Sequence, residues 1–151
     1  MSENELIDSR LVLSQAGSST RIIIVEPDYD LRLLYNIWRR SIGFKDMVIV
    51  DNGRKCIEEL VRYDVETKGS TSFRQDLIVI LDTHLKDIRS VEVAKEIINK
   101  NPHQKIIFTS TLPSDIVRQE TILAGLDNCN ILTKPFQTSK LSSLLLNSDG
   151  L

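Results

Sequence analysis

Five short apolar runs, each followed by a stretch of helical periodicity, constrain the fold of this 151-residue chain more than any other feature. The runs are 21–25, 47–50, 77–81, 106–109 and 129–132, and most are rich in β-branched residues without polar alternation. A strand that is apolar on both sides is buried on both faces, as in a parallel sheet covered by helices. The intervening segments carry apolar residues at helical spacing. Leu31, Leu34, Tyr35, Trp38 and Ile42 form the first such face, with Gly43 as a stop, and Cys56, Ile57, Leu60 and Val61 the second, after Asp51-Asn52-Gly53. Val91, Ala94, Ile97 and Ile98 precede the breaker Asn101-Pro102, and Ile116, Ile122, Leu123 and Leu126 make a fourth face. The last segment, with Leu141 and Leu144–Leu146, is short. The order βαβαβαβαβα predicts an α/β fold: one doubly wound, five-stranded parallel sheet with right-handed crossovers and helices on both faces.

The length suits a single domain, here residues 21–147. Residues 1–20, ending in Ser14-Gln15-Ala16-Gly17-Ser18-Ser19-Thr20, are expected to be a flexible leader, and 148–151 a tail. The polar stretch 66–75 reads as a surface loop. Hydrophobic residues at 41% and charged residues at 26% give the balance of a soluble globular protein. Nineteen basic against twenty-one acidic residues leave a net charge of −2, which argues against a broad nucleic-acid face. No apolar run approaches the roughly 20 residues that span a bilayer, and the first ten residues do not resemble a signal peptide. Two cysteines, Cys56 and Cys129, make no disulfide framework, so a reducing, cytoplasmic setting is expected.

Ligands of open α/β sheets sit beyond the carboxyl ends of the strands. Glu26-Pro27-Asp28 follows the first run, Asp82 the third, Ser110 and Thr111 the fourth, and Thr133-Lys134-Pro135-Phe136 the fifth. With a flavodoxin-like strand order of 2-1-3-4-5, strands 1 and 3 are neighbours, and Glu26, Asp28 and Asp82 crowd together. Clustered carboxylates require a cation or shared protons, and an all-oxygen set suits Mg²⁺. Lys134 and a hydroxyl would lie on the other side of Asp82. An attackable acid, a metal site, a hydroxyl and a lysine form a coherent set for phosphoryl transfer.

At these residues the chain resembles the response-regulator receiver family, over 21 to about 146. The resemblance rests on Ile22-Ile23-Ile24-Val25-Glu26, Asp51-Asn52-Gly53, Leu77–Leu81 leading to Asp82, Ile106-Ile107-Phe108-Thr109-Ser110, and Lys134-Pro135-Phe136. It implies that Asp82 is the phospho-acceptor and that Ser110 (Thr109 if the register is off by one) contacts the phosphoryl group. It further implies that Lys134 pairs with the phosphoryl oxygens, before a peptide that is cis in many receivers, and that Glu26 with Asp82 and Asp28 organises Mg²⁺. A stand-alone receiver of this kind would take phosphate from a histidine kinase or phosphotransfer protein. It would act on a downstream protein, or dimerise, through helix 4, strand 5 and helix 5. It would be no enzyme beyond phosphoryl acceptance and self-dephosphorylation, and would bind neither nucleic acid nor membrane.

Several positions depart from the family. Pro27 stands where a second acid usually binds the metal, with Asp28 one residue late. Lys86 and Ser90 replace the usual Pro and Gly, Ile131 stands at the aromatic switch position, and 125–134 is about two residues longer than usual. These departures weaken the expected metal site and the expected readout, not the fold. They support the alternative of a pseudo-receiver, an interaction domain without phosphotransfer. A flavodoxin-like small-ligand binder fits less well, because no glycine-rich loop follows strand 1. Single residues also have structural readings. Asp28 can be a helix N-cap, and Asp82, Ser110 and Lys134 could be turn or solvated residues. His84 and His103 read as surface residues, and Tyr35, Trp38, Cys56 and Cys129 as core.

Overall fold

A computed structural model describes residues 20–42, 46–67, 76–102, 104–126 and 128–146. Five strands, β1 (Thr20–Val25), β2 (Met47–Val50), β3 (Asp76–Asp82), β4 (Lys105–Ser110) and β5 (Asn130–Thr133), alternate with five helices. The helices are α1 (Tyr29–Ile42), α2 (Gly53–Thr67), α3 (Ser90–Lys100), α4 (Ser114–Leu123) and α5 (Thr138–Leu146). All strand pairs are parallel and the order is β2-β1-β3-β4-β5, as expected. β1 starts at Thr20, and α2 runs to Thr67, into the stretch read as a loop. Residues 1–19 of the leader, Gly43, 68–75, His103 and the tail lie outside the described residues.

Strand residues alternate between faces, and the core divides accordingly. Ile23, Val25, Val79, Leu81, Ile106 and Phe108 pack with α2, α3 and α4 through Leu60, Val93, Ile97 and Val117. Ile22, Ile24, Ile78, Ile80, Ile107 and Leu132 pack with α1 and α5 through Tyr35, Trp38, Leu141 and Leu145. Cys56 and Cys129 are buried thiols; burial, helped by the charge of Glu59, pushes the Cys56 thiol up to about 12 and leaves it inert at neutral pH.

The helix starts follow from local chemistry. Asp28 Oδ1 accepts the Leu31 N–H (3.0 Å) and Asn52 Oδ1 the Lys55 N–H (2.9 Å), the N-cap arrangement that satisfies otherwise orphaned donors. Gly125, at φ +78°, ends α4 in the left-handed conformation that glycine adopts without strain. Two arginines tie helices to neighbouring strands: Arg39 Nη1 donates to the Met47 carbonyl (3.1 Å) and Arg118 Nη1 to the Cys129 carbonyl (2.7 Å). The expected α4 face needs correction. Val117 and Thr121 are the buried residues of that helix, and Leu126 is buried beyond it, whereas Ile116, Ile122 and Leu123 face outward, Leu123 at 89% exposure. No helix among the described residues is long and apolar enough to cross a membrane.

Candidate functional site

The period-2 alternation of the strands assembles the site. Continuing from Ile22 and Ile24, Glu26 falls on the α1/α5 face; Asp82 follows Ile78 and Ile80, Thr109 follows Ile107, and Lys134 follows Leu132. The parallel register sets Val25 beside Leu81 and Asp82 beside Thr109, so the four side chains meet at the C-terminal ends of β1, β3, β4 and β5.

Lys134 is the centre of this cluster. Its Nζ donates to Glu26 Oε1 (2.7 Å) and to Asp82 Oδ1 (2.5 Å). Both acids are only 1% exposed. Burial alone would lower the pKa of Lys134, but the bonds to Asp82 and Glu26 and their negative charges outweigh it and raise the pKa. The second oxygens are also engaged: Asp82 Oδ2 accepts the His84 N–H (2.7 Å) and Glu26 Oε2 the Asp28 N–H (3.1 Å). Thr109 Oγ1 approaches Asp82 Oδ1 at 3.5 Å. The Lys134–Pro135 peptide is cis.

Ser110 is placed differently. By the same alternation it continues the Ile106 and Phe108 side, and its Oγ accepts from Thr83 Oγ1 (2.6 Å) and the Leu112 N–H (3.1 Å). Asp28 is not gathered into the acid pair. Its carboxylate caps α1, and the residue is exposed. Arg32 reaches back from α1 to the carbonyls of Glu26 (3.0 Å) and Pro27 (2.7 Å) and fixes the turn between. The sequence did not reveal Thr83, His84 or Asp87. His84 is exposed as expected, yet its Nδ1 lies 3.3 Å from Thr83 Oγ1. Asp87 takes the N–H groups of Gly53 (3.0 Å) and Arg54 (2.9 Å), pinning the loop after Asp82 to the start of α2.

Glu26 and Asp82 fit a hard divalent ion by chemistry, because carboxylate oxygens are its preferred ligands. They do so as a pair: among the described residues no group of three or more His, Cys, Asp or Glu side chains is placed to hold a metal. Beside Lys134, a cavity of about 430 Å³ opens between α1 and α5, lined by Leu34, Tyr35, Trp38, Pro135, Phe136 and Leu141 among others. Burial, then the charges of Glu26 and Asp82, push the Tyr35 phenol far above its ordinary value, so it stays protonated next to the acids.

No protein-family model matches the chain. It is 24% identical over 125 residues to the chemotaxis protein CheY of Thermotoga maritima, covering 83% of this chain and 93% of that one. A 28% match over 92 residues to an anamorsin homolog of Trichoplax adhaerens covers 61% of this chain and 33% of the relative, so the chain spans a third of that protein's length. The receiver domain of the histidine kinase CKI1 from Arabidopsis thaliana, solved with Mg²⁺ and BeF₃⁻, superposes with a TM-score of 0.74 at 18% identity over 96% of both chains. The response regulator TrrA of Thermotoga maritima, in complex with Mg²⁺ and beryllofluoride, gives 0.64 at 20% identity over 85% of this chain and 98% of its own. Five parallel strands in the order 2-1-3-4-5, with acids at the ends of β1 and β3 and a lysine at the end of β5, give this chain the fold of the response-regulator receiver domains.

Proposed function

We propose that the chain is a phosphorylation-controlled signalling receiver that accepts a phosphoryl group on Asp82 from the phosphohistidine of a histidine kinase or phosphotransfer protein. The observation that carries this reading is Lys134 Nζ held between Glu26 Oε1 (2.7 Å) and Asp82 Oδ1 (2.5 Å) at the carboxyl ends of the strands. An Asp82 oxygen attacks phosphorus, the P–N bond of the donor breaks, and the departing imidazole keeps the electron pair. The acyl phosphate adds negative charge beside Lys134, which turns its N–H groups from the carboxylates toward the phosphoryl oxygens. A hydroxyl, Ser110 or Thr109, donates to a phosphoryl oxygen. Glu26 and Asp82 would hold Mg²⁺, whose charge offsets that of the phosphoryl group; Asp28 caps α1 through Oδ1 and stands outside this pair.

The readout face is α4–β5–α5. Ile116, Ile122 and Leu123 stand exposed on α4 and offer apolar area to a protein partner or to a second copy. The place of action in this reading is the cytoplasm, with no nucleic-acid ligand. Pro27, together with Asp28 spent on the helix cap, favours a second reading, a pseudo-receiver that binds partners without phosphotransfer. Acetyl phosphate and Mg²⁺, followed by intact mass, separate the two. The first reading expects a phosphoryl mass gain that Asp82→Asn abolishes; no gain at millimolar Mg²⁺ leaves the pseudo-receiver.

A further inference from the structure

Ser110 is fully buried, and its hydroxyl oxygen already receives two hydrogen bonds, from Thr83 Oγ1 (2.6 Å) and from the Leu112 N–H (3.1 Å). A serine hydroxyl has two acceptor sites and one proton. Both acceptor sites are therefore filled, and the proton is the hydrogen-bonding capacity that remains. Thr83 follows Asp82 directly, and its own N–H is fixed to the Thr109 carbonyl (3.0 Å), so the Thr83 hydroxyl is held across the β3–β4 register. Its oxygen in turn lies 3.3 Å from His84 Nδ1.

We propose that Thr83 is a positioning residue that presents the Ser110 hydroxyl as a hydrogen-bond donor to an anion carried by Asp82. The inference rests on the phospho-acceptor reading of Asp82 and assigns within it the group that orients the hydroxyl. A buried serine without the Thr83 bond would keep one lone pair open, and its rotor would be free to spend its proton on a backbone carbonyl. With the bond in place, the added phosphoryl oxygen is the acceptor its proton lacks. Thr83 makes and breaks no covalent bond and does not touch the phosphoryl group.

The test uses the full chain with acetyl phosphate and Mg²⁺, following intact mass for wild type, Thr83→Val, Thr83→Ser, Ser110→Ala and the Thr83→Val/Ser110→Ala double variant. Thr83→Val is expected to slow phosphoryl uptake about fivefold, the scale of one hydrogen bond, and Thr83→Ser to keep the wild-type rate. The double variant is expected to be no slower than Ser110→Ala alone, since Thr83 acts through Ser110. A Thr83→Val rate equal to or above wild type, or losses that add in the double variant, overturns the proposal. If Thr83→Val does not melt cooperatively, Thr83→Ala takes its place with the same expectation. If wild type gains no mass, the phospho-acceptor reading fails, and amide exchange at Leu112 decides on Thr83 separately. Faster exchange in Thr83→Val than in wild type and Thr83→Ser keeps its positioning role, and equal exchange in all three removes it.

Discussion

At the scale of single residues, the energetics turn on one cation between two buried anions. Removing one partner of a buried ion pair leaves the other charge unpaired in a low-dielectric site, which costs about 3–5 kcal/mol. Lys134→Met is therefore expected to destabilise the protein by about 3 kcal/mol in urea denaturation, and by much less when Glu26→Gln and Asp82→Asn are also present. An equal cost in both backgrounds would mean that Lys134 stabilises by packing alone. The raised pKa of Lys134 fixes the sign of its pH dependence. Its stabilisation is complete below the ordinary lysine value, roughly 10.4, and is lost as pH rises through the higher folded value. Wild-type melting temperature is thus expected to fall more steeply than that of Lys134→Met in alkaline buffer. Glu26, Asp82 and Lys134 were legible in the sequence because Glu26 and Asp82 directly follow apolar runs and Lys134 comes one residue after another, so strand position locates them. Thr83 was not, because its role lies in a bond to Ser110 on the neighbouring strand, and no sequence period encodes a loop hydroxyl's direction.

At the scale of elements, Asp87 joins two pieces of structure that are far apart in sequence. Desolvation works to raise its pKa, but hydrogen bonds from the N–H groups of Arg54, Gly53, Ile88 and its own backbone outweigh it and hold the carboxyl below its ordinary value. Its contribution is present above the unfolded carboxyl pKa and fades as pH falls through the lower folded value. Asp87→Ala is expected to cost about 1 kcal/mol, as loss of a helix N-terminal cap does, and to loosen amide protection at Gly53 and Arg54 by hydrogen exchange. Unchanged protection would show that the start of α2 holds without it. A β-carbon on Gly53 would stand 3.1 Å from Val93 Cγ2 and 3.3 Å from Ile88 Cβ, so the loop, α2 and α3 pack tightly there. α4 shows where pattern reading failed. The spacing of Ile116, Ile122 and Leu123 predicts an inward face, but the inward positions hold Val117 and Thr121. Periodicity identifies a helix more securely than it identifies the buried side when the apolar residues do not form one clean stripe. Leu123→Ser is accordingly expected to change stability by less than about 0.5 kcal/mol, as exposed substitutions do, while weakening any self-association seen in sedimentation. A large loss of stability would return Leu123 to the core.

At the scale of the whole molecule, the βα alternation determined the architecture because buried parallel strands and amphipathic crossovers leave few arrangements of the chain. The strand order depended on analogy, and the ladder pairings supply it. An open parallel sheet also has two outer strands, here β2 and β5, with backbone groups that no further strand satisfies. The Asp46 carbonyl of the β2 side accepts the Ile22 N–H, so by alternation the Met47 carbonyl points away from β1, and Arg39 covers it. Likewise the Lys134 N–H bonds to Ser110, which turns the Cys129 carbonyl outward, and Arg118 covers it. The two arginine ties each occupy an outward carbonyl at an outer margin of the sheet, a group that an added strand would need. The Arg39→Ala/Arg118→Ala variant is expected to keep most of its stability yet to aggregate faster with rising concentration in static light scattering. Identical scattering would leave these arginines only as local ties. Each outer margin of the sheet thus carries a fixed positive charge at one outward carbonyl, in a molecule whose α4 surface presents Ile122 and Leu123 to solvent.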